Sequence, residues 1–253
     1  MLKKLLFIIV FSLFAQVSHA LEDNMRVGAE YAYYRYREPS VNPNGPLMRG
    51  AMYGINFSYS YDYNDYFLDL EGRFLAGKGK YDGFLMNGTP SQSSHMARIF
   101  EARILPGVKM NTFDWYTGLG YRFKGDDRGN IRQNNIIVLG YRRKAQYLYI
   151  PLGMRVLSYE DVYKDMCLSI RPYLEYDLFI KGVTTSAVNN QTKLHLKQTN
   201  GFGTKLGVVF RIDQFEITPY LNYWNIETSK IDAGFIEPRN TTTELGLKLA
   251  YVF

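Results

Sequence analysis

Histidine, serine and aspartate are the residues of this sequence that would carry hydrolytic chemistry. His95 follows the serine pair Ser93-Ser94, and Asp126-Asp127 is a pair of adjacent acids further along the chain. A histidine beside a serine could activate the serine hydroxyl, and a pair of acids could, separately, activate water. The spacing here is not distinctive, and a lone histidine beside serines in a loop is expected to be solvated. The sequence therefore predicts no catalytic residue, no cofactor and no metal site.

Charged residues are the second group that could do chemistry. They alternate with small or aromatic residues along the chain, which would place them on one face of a strand. The acids are Glu30, Asp69, Glu71, Glu101, Glu175, Asp177, Glu216 and Glu244, and the bases are Arg73, Arg103, Arg122, Arg155, Arg171, Lys205, Arg211 and Lys248. If all of them face a narrow interior, acids and bases should pair, because an unpaired buried charge is costly. Ion pairs are expected above all among Asp69, Glu71, Arg73, Glu101, Arg103, Arg122, Arg155, Arg171, Glu175 and Asp177. The interior would then be plugged or narrow.

Strands must position these charges, because alternate side chains of a strand point to opposite faces. Period-two alternation predicts ten strands, at 26–37, 53–63, 66–76, 96–109, 114–123, 145–156, 168–180, 201–212, 215–226 and 241–253. Long loops are predicted at 38–50, 77–95, 124–144, 181–200 and 227–240, with short turns between the other strands. This pattern predicts an all-β fold, an antiparallel transmembrane up-and-down β-barrel, with eight strands as the alternative. Pro106, Pro151, Pro172 and Pro219 lie inside predicted strands and predict local bulges.

The last strand ends on an aromatic residue. Its apolar face consists of Leu245, Leu247, Leu249, Tyr251 and Phe253. This stretch resembles the C-terminal recognition strand of the outer-membrane β-barrels of Gram-negative bacteria. The resemblance implies a bacterial outer-membrane protein whose last strand pairs with the first. It also implies that the barrel-assembly machinery reads the aromatic terminus.

The start of the chain predicts secretion. Residues 1–20 combine Lys3 and Lys4 with an apolar run and end in Ser18-His19-Ala20, which is typical of a cleaved signal peptide. Its loss would lower the formal net charge from +6 to +4, since two lysines leave with it. Residues 21–253 are expected to form a single barrel domain. Charge of this size suggests no nucleic-acid partner, and the single Cys167 is expected to be a free thiol.

Three groups of known barrels suggest three different functions for this chain. The strand count resembles that of the omptin surface proteases, whose site combines a pair of acids with an Asp-His pair, but His195 lies between Lys193 and Lys197 with no acid nearby. Lipid A deacylase barrels use a His-Ser pair on the lipid-facing wall. Ten-stranded adhesins of the Opc type bind ligands through long loops. The sequence favours the last group, a monomer with a structural or surface-interaction role, over a narrow selective channel or an enzyme.

A basic stretch in the third long loop suggests a lipid partner. Arg142, Arg143 and Lys144 follow one another there. At the outer edge of the membrane such side chains can pair with the phosphates of lipopolysaccharide. We therefore expect lipopolysaccharide contacts at these three residues, beside a surface or host ligand for the loops.

Overall fold

The computed structural model describes residues 25–39, 45–84, 90–128, 131–133, 136–138, 141–156, 159–163, 166–188, 192–232 and 234–253. These residues contain fifteen strands: β1 (Met25–Arg37), β2 (Leu47–Tyr63), β3 (Tyr66–Phe84), β4 (Pro90–Lys109), β5 (Phe113–Thr117), β6 (Leu119–Arg128), β7 (Ile131–Gln133), β8 (Ile136–Val138), β9 (Tyr141–Val156), β10 (Tyr159–Tyr163), β11 (Met166–Val188), β12 (Thr192–Gln198), β13 (Gly201–Ile212), β14 (Phe215–Ile226) and β15 (Asn240–Val252). The predicted signal peptide lies outside the described residues. Among those described, no helix is long and apolar enough to cross a bilayer.

Ten antiparallel wall strands close into a ring. β5 and β6 together form the fifth wall strand, since both pair with β4 on one side and β9 on the other. β10 extends β9 along β11, and β12 extends β13 along the same neighbour. The ring closes where β1 pairs with β15, from Arg26 opposite Val252 to Arg37 opposite Thr241. The prediction of a ten-stranded antiparallel barrel is confirmed, and the eight-stranded alternative is wrong.

Tight turns join the strands at one end of the barrel. Asn64 and Asp213 each have a φ of 52°, the left-handed conformation that two-residue hairpin turns require and that asparagine and aspartate tolerate. Both turns lie where the sequence predicts a short reversal. In transmembrane barrels the short turns are periplasmic, so the opposite end of this barrel is extracellular.

Three of the predicted long loops are largely strand. β3 and β4 continue through most of 77–95, β6 and β9 enter 124–144, and β11 and β12 fill most of 181–200. The prediction was wrong because it required an apolar outer face, whereas strands that rise above the membrane need none. The predicted loop 227–240 lies between β14 and β15, and of its described residues only the last belongs to a strand. The predicted loop 38–50 is shorter than expected, because β2 already begins at Leu47.

Prolines do not mark the bulges. The ladders run without a register shift past Pro106, Pro151 and Pro172. A shift occurs instead between Phe179 and Lys181, where β11 passes β9. Beside Pro219 the pairing of β13 with β14 is interrupted, as expected from its missing N–H. The pairing of β4 with β6 and β5 is interrupted in the same way beside Pro106. None of the four prolines coincides with a register shift, so the prediction of bulges at these prolines was wrong.

The two faces of the wall differ in chemistry. Outward positions expose aromatic and aliphatic side chains, including Tyr31, Ile55, Phe74, Trp115 and Leu174. Inward positions carry buried charges, tyrosines and glycines. A wall that shows hydrocarbon outside and polar groups inside is stable only when lipid surrounds it.

Glycines make room for the tyrosines of the interior. A Cβ on Gly120 would lie 2.1 Å from the Tyr149 ring, and one on Gly153 would lie 2.0 Å from the Tyr116 ring. Each tyrosine therefore lies flat against the backbone of the next strand. This packing brings the Tyr149 hydroxyl to the centre of the lumen.

Candidate functional site

Two buried arginines bridge acids from different strands in the centre of the lumen. Arg73 Nη1 lies 2.9 Å from Glu30 Oε1 and 2.8 Å from Glu244 Oε2, and its Nη2 lies 2.7 Å from Glu101 Oε2. Arg122 contacts Glu101 at 3.1 Å and also pairs with Glu244. All five side chains are at most 7% exposed. We call this group the central network.

A second layer of ion pairs lies on its periplasmic side. Arg103 Nη1 lies 2.6 Å from Glu175 Oε1, and its Nη2 pairs with Glu71. Lys205 Nζ lies 2.6 Å from Glu101, 2.9 Å from Glu175 and 3.5 Å from Asp177. Buried acids and bases thus neutralise one another across the ring, as buried charges must.

Nearer the periplasm, the pairs become partly exposed. Arg155 pairs with Asp69, and both Arg26 and Arg171 contact Glu216. The structure therefore places every one of the ten residues expected to form lumen ion pairs in such a pair. A cavity of about 150 Å³ lies among these residues, and Arg73 and Glu101 are part of its lining.

Aromatic and aliphatic side chains cover the extracellular side of the central network. Tyr149 donates a 2.5 Å hydrogen bond to Glu101, and its ring packs edge-on against Trp224 at 5.0 Å. Tyr34, Met52 and Ile99 are also buried in the interior. We call these side chains the apolar layer.

A hydrogen-bonded chain of three side chains lies above the apolar layer, in the extracellular mouth. Ser93 Oγ is 2.9 Å from His95 Nε2, and His95 Nδ1 is 2.8 Å from Asp126 Oδ1. Tyr81 stacks on the imidazole with ring centroids 4.7 Å apart. His95 is 1% exposed, so the expectation of a solvated histidine was wrong. β4 already forms the wall at this position and turns the side chain inward.

Charged neighbours keep Asp126 ionised. Burial raises the pKa of this carboxyl, but the hydrogen bond from His95 and the charge of Arg143 outweigh it and leave the pKa below its ordinary value. Arg143 Nη2 lies 3.5 Å from Asp126 Oδ2, and its Nη1 contacts Glu38 and Glu237. This cluster could not be predicted from the sequence, because no local spacing links its residues.

Of the three residues predicted to contact lipopolysaccharide, two lie on the outer face of the barrel wall and one lies on the inner face. Arg142 and Lys144 are exposed on the outer face. Arg143 points into the mouth and is buried among acids, so its expected contact with lipopolysaccharide is wrong. Alternation along β9 explains the difference, because the middle residue of three must face inward.

Arg142 and Lys144 belong to a larger outward-facing group, which we call the basic belt. Its members share exposure on the outer face towards the extracellular end: Arg35, Arg49, Lys78, Lys80, Arg98, Arg142, Lys144, Lys181 and Lys197. Arg35 lies directly opposite Arg49, which lies directly opposite Lys80. On the same strands the exposed Tyr33 and Phe100 come two residues nearer the periplasm, so the belt marks the edge of the apolar surface.

The remaining predicted residues lie on the outer wall. Leu245, Leu247, Leu249, Tyr251 and Phe253 are exposed along β15 and just beyond it. Cys167 belongs to β11, but its side chain is not among those described.

The residues of an omptin-like site are not brought together. His195 is exposed on β12 and lies 3.2 Å from the Thr185 hydroxyl. Asp127 pairs with Arg142 on the outer face of β6 and β9. β9 and β11 separate the two residues around the ring.

Known structures share this architecture at low sequence identity. The sequence matches no protein-family model and no curated protein. The outer membrane protease OmpT from Escherichia coli is similar in structure, with a TM-score of 0.52 and 9% identity over 91% of this chain and 97% of that one. Neisserial surface protein A also matches, with a TM-score of 0.37 and 11% identity over 90% and 97% of the two chains. The chain therefore has the fold of the bacterial outer-membrane β-barrels, and its lipid-compatible wall places it in an outer membrane.

Proposed function

We propose that this protein is a non-conducting barrel that acts at the cell surface by binding a ligand at its extracellular end. The observation that carries the proposal is the network of buried ion pairs across the lumen. A solute crossing the barrel would have to separate Arg73 and Arg122 from Glu30, Glu101 and Glu244, and would leave charges buried without partners. The free-energy cost of leaving these charges unpaired disfavours a narrow selective channel.

Wall strands that rise above the basic belt support a role outside the membrane. β3 and β4 stay paired as far as Phe84 opposite Pro90, and β11 and β12 as far as Val188 opposite Thr192. Such paired hairpins hold a surface in a defined shape more firmly than irregular loops do. The ring closes within one chain, so a monomer suffices for this role.

The basic belt supports lipopolysaccharide as a partner. Arg35, Arg49 and Lys80 are direct cross-strand neighbours, and like charges in that arrangement repel. Asp82 offsets part of this charge through a 3.8 Å contact with Arg49. Phosphate groups of the outer leaflet would neutralise the remainder, and the protein would be held at a fixed depth.

Trimming one hairpin tests the surface role. Thr185 lies directly opposite His195, so replacing residues 186–194 with Asn-Gly leaves a two-residue turn and the same register. Cells displaying the wild-type protein should adhere to immobilised matrix proteins or host-cell monolayers, and the trimmed variant should lose this adhesion while assembling normally. Equal adhesion by both proteins would contradict the assignment to this hairpin.

A belt variant provides the matched control. Arg35→Ala/Arg49→Ala/Lys80→Ala should copurify with less lipopolysaccharide but keep adhesion. If wild-type cells show no adhesion and cells without the protein have a fragile envelope, the role is structural instead. The proposal assigns no proteolysis to His195 or Asp127, so peptide cleavage that depends on either residue would overturn it.

A further inference from the structure

From the hydrogen-bonded chain in the extracellular mouth, we propose that Ser93, His95 and Asp126 form a nucleophilic site for acyl esters that approach from outside the cell. This inference is independent of the surface-binding proposal. It concerns residues above the central network and needs no open lumen.

The order of the hydrogen bonds is the one that serine activation requires. His95 has one ring nitrogen on each partner, with Nε2 2.9 Å from Ser93 Oγ and Nδ1 2.8 Å from Asp126 Oδ1. The acid therefore holds the proton on Nδ1, so the unprotonated Nε2 faces Ser93 and can accept the serine proton. A histidine bonded to two serines, or to the acid through Nε2 alone, would not be arranged in this way.

The three residues are held by two neighbouring wall strands. Ser93 and His95 lie two residues apart on the inner face of β4, and Asp126 lies on the inner face of the neighbouring β6. Tyr81 from β3 stacks on the imidazole, and Arg143 from β9 fixes the second oxygen of Asp126. Rigid strands and packed neighbours give the preorganisation that a nucleophilic site needs.

Burial differs among the three residues as the chemistry requires. His95 is 1% exposed and Asp126 is 3% exposed, so both are shielded from water. Ser93 is the most accessible member, partly exposed on the side nearer the extracellular end of β4. The nucleophile therefore faces the mouth, and the base and its orienting acid lie behind it.

The reaction follows from this arrangement. Ser93 Oγ attacks the ester carbonyl carbon and passes its proton to His95 Nε2, while the carbonyl π electrons move to the oxygen. The tetrahedral intermediate then expels the alcohol, which takes the proton from Nε2, and an acyl-serine remains. Water attacks the acyl-serine by the same route and releases the carboxylic acid and free Ser93. Because the site faces the lumen, membrane lipids on the outer wall are not its substrates.

A fluorescent fluorophosphonate tests the nucleophile without knowledge of the natural substrate. The folded full-length protein in detergent micelles should become covalently labelled, with fluoride as the leaving group. Ser93→Ala should abolish the labelling. Ser94→Ala is the matched control and should label normally, because Ser94 is exposed on the outer face of the same strand. The faster gel mobility of unboiled protein verifies folding for each variant.

Two further variants separate a catalytic arrangement from a structural one. His95→Gln should slow labelling by at least about 100-fold, the usual contribution of a general base. Asp126 is a positioning residue, so Asp126→Asn should slow labelling while Asp126→Glu restores part of the rate. Folded wild-type protein that does not label, or labelling that persists in Ser93→Ala, would overturn the proposal. Equal rates for the Asn and Glu variants of Asp126 would overturn the assigned role of that residue.

Discussion

Arg122 Nη1 lies 3.1 Å from Glu101 Oε2, and the other terminal nitrogen of the same guanidinium contacts Glu244. One side chain thereby joins β6 to β4 and β15, the last of which lies across the ring. Arg73 makes an equivalent set of contacts from β3. Because both bases share Glu101 and Glu244, the central network acts as a unit, and loss of one member removes contacts from several others.

Removal of a buried lumen acid should destabilise the barrel strongly. Glu175 and Glu71 both pair with Arg103, but the Glu175 side chain is 1% exposed and that of Glu71 is 25% exposed. Glu175→Ala should lower the free energy of unfolding by about 3–5 kcal/mol, since the buried bases Arg103 and Lys205 each lose a carboxylate that water cannot replace. Glu71→Ala should cost about 1 kcal/mol or less, because water can replace its carboxylate. Urea unfolding in detergent measures both, and equal losses would contradict the buried pairing.

Added volume at Gly120 should disturb the central network through Tyr149. A Cβ there would lie 2.1 Å from the Tyr149 ring, and the ring cannot move without losing its hydrogen bond to Glu101. Gly120→Ala should therefore cost about 1–3 kcal/mol. Gly72→Ala is the control, because its Cβ would meet nothing closer than 3.9 Å. If both variants melt at the same temperature, the proposed close packing at Gly120 is wrong.

Loss of the last residue should impair assembly. The Phe253 amide donates a 2.9 Å hydrogen bond to the Met25 carbonyl oxygen where β15 meets β1, and its ring packs edge-on against Tyr251 at 5.0 Å. Deletion of Phe253 should lower the amount of folded protein in the outer membrane, measured as the form that runs faster on gels before boiling. Phe235→Ala, at an exposed aromatic in the last loop, should leave this amount unchanged. Normal levels of the truncated protein would refute an assembly role for this residue.

The sequence was informative wherever one face of a strand meets lipid. From Tyr53 to Tyr63, large apolar residues alternate with small polar ones, and the strand and its inward face could be predicted from that pattern. The same alternation placed Glu101 and Arg122 inside the barrel. Above the membrane the outer face becomes polar, as at Lys78 and Lys80, so the alternation fades and the strands were interpreted as loops.

The cluster in the mouth could not be predicted for a different reason. His95 and Asp126 are 31 residues apart, and their contact depends on the register of β4 against β6, which places Ala97 opposite Asp126. The spacing of residues that are close together in the sequence does not reveal the register between two strands. Arg143 was misplaced because the alternation fades above the membrane, so its strand was expected to begin only at Ala145.

Electrical conductance across a planar bilayer tests the central claim, a lumen closed by the central network, most directly. Purified wild-type protein should show no large, steady current. Arg73→Ala/Arg122→Ala, once shown by gel mobility to be folded, should open a conducting path, because it removes the two side chains that join the acids across the ring. Steady porin-like currents through the wild-type protein would contradict the claim.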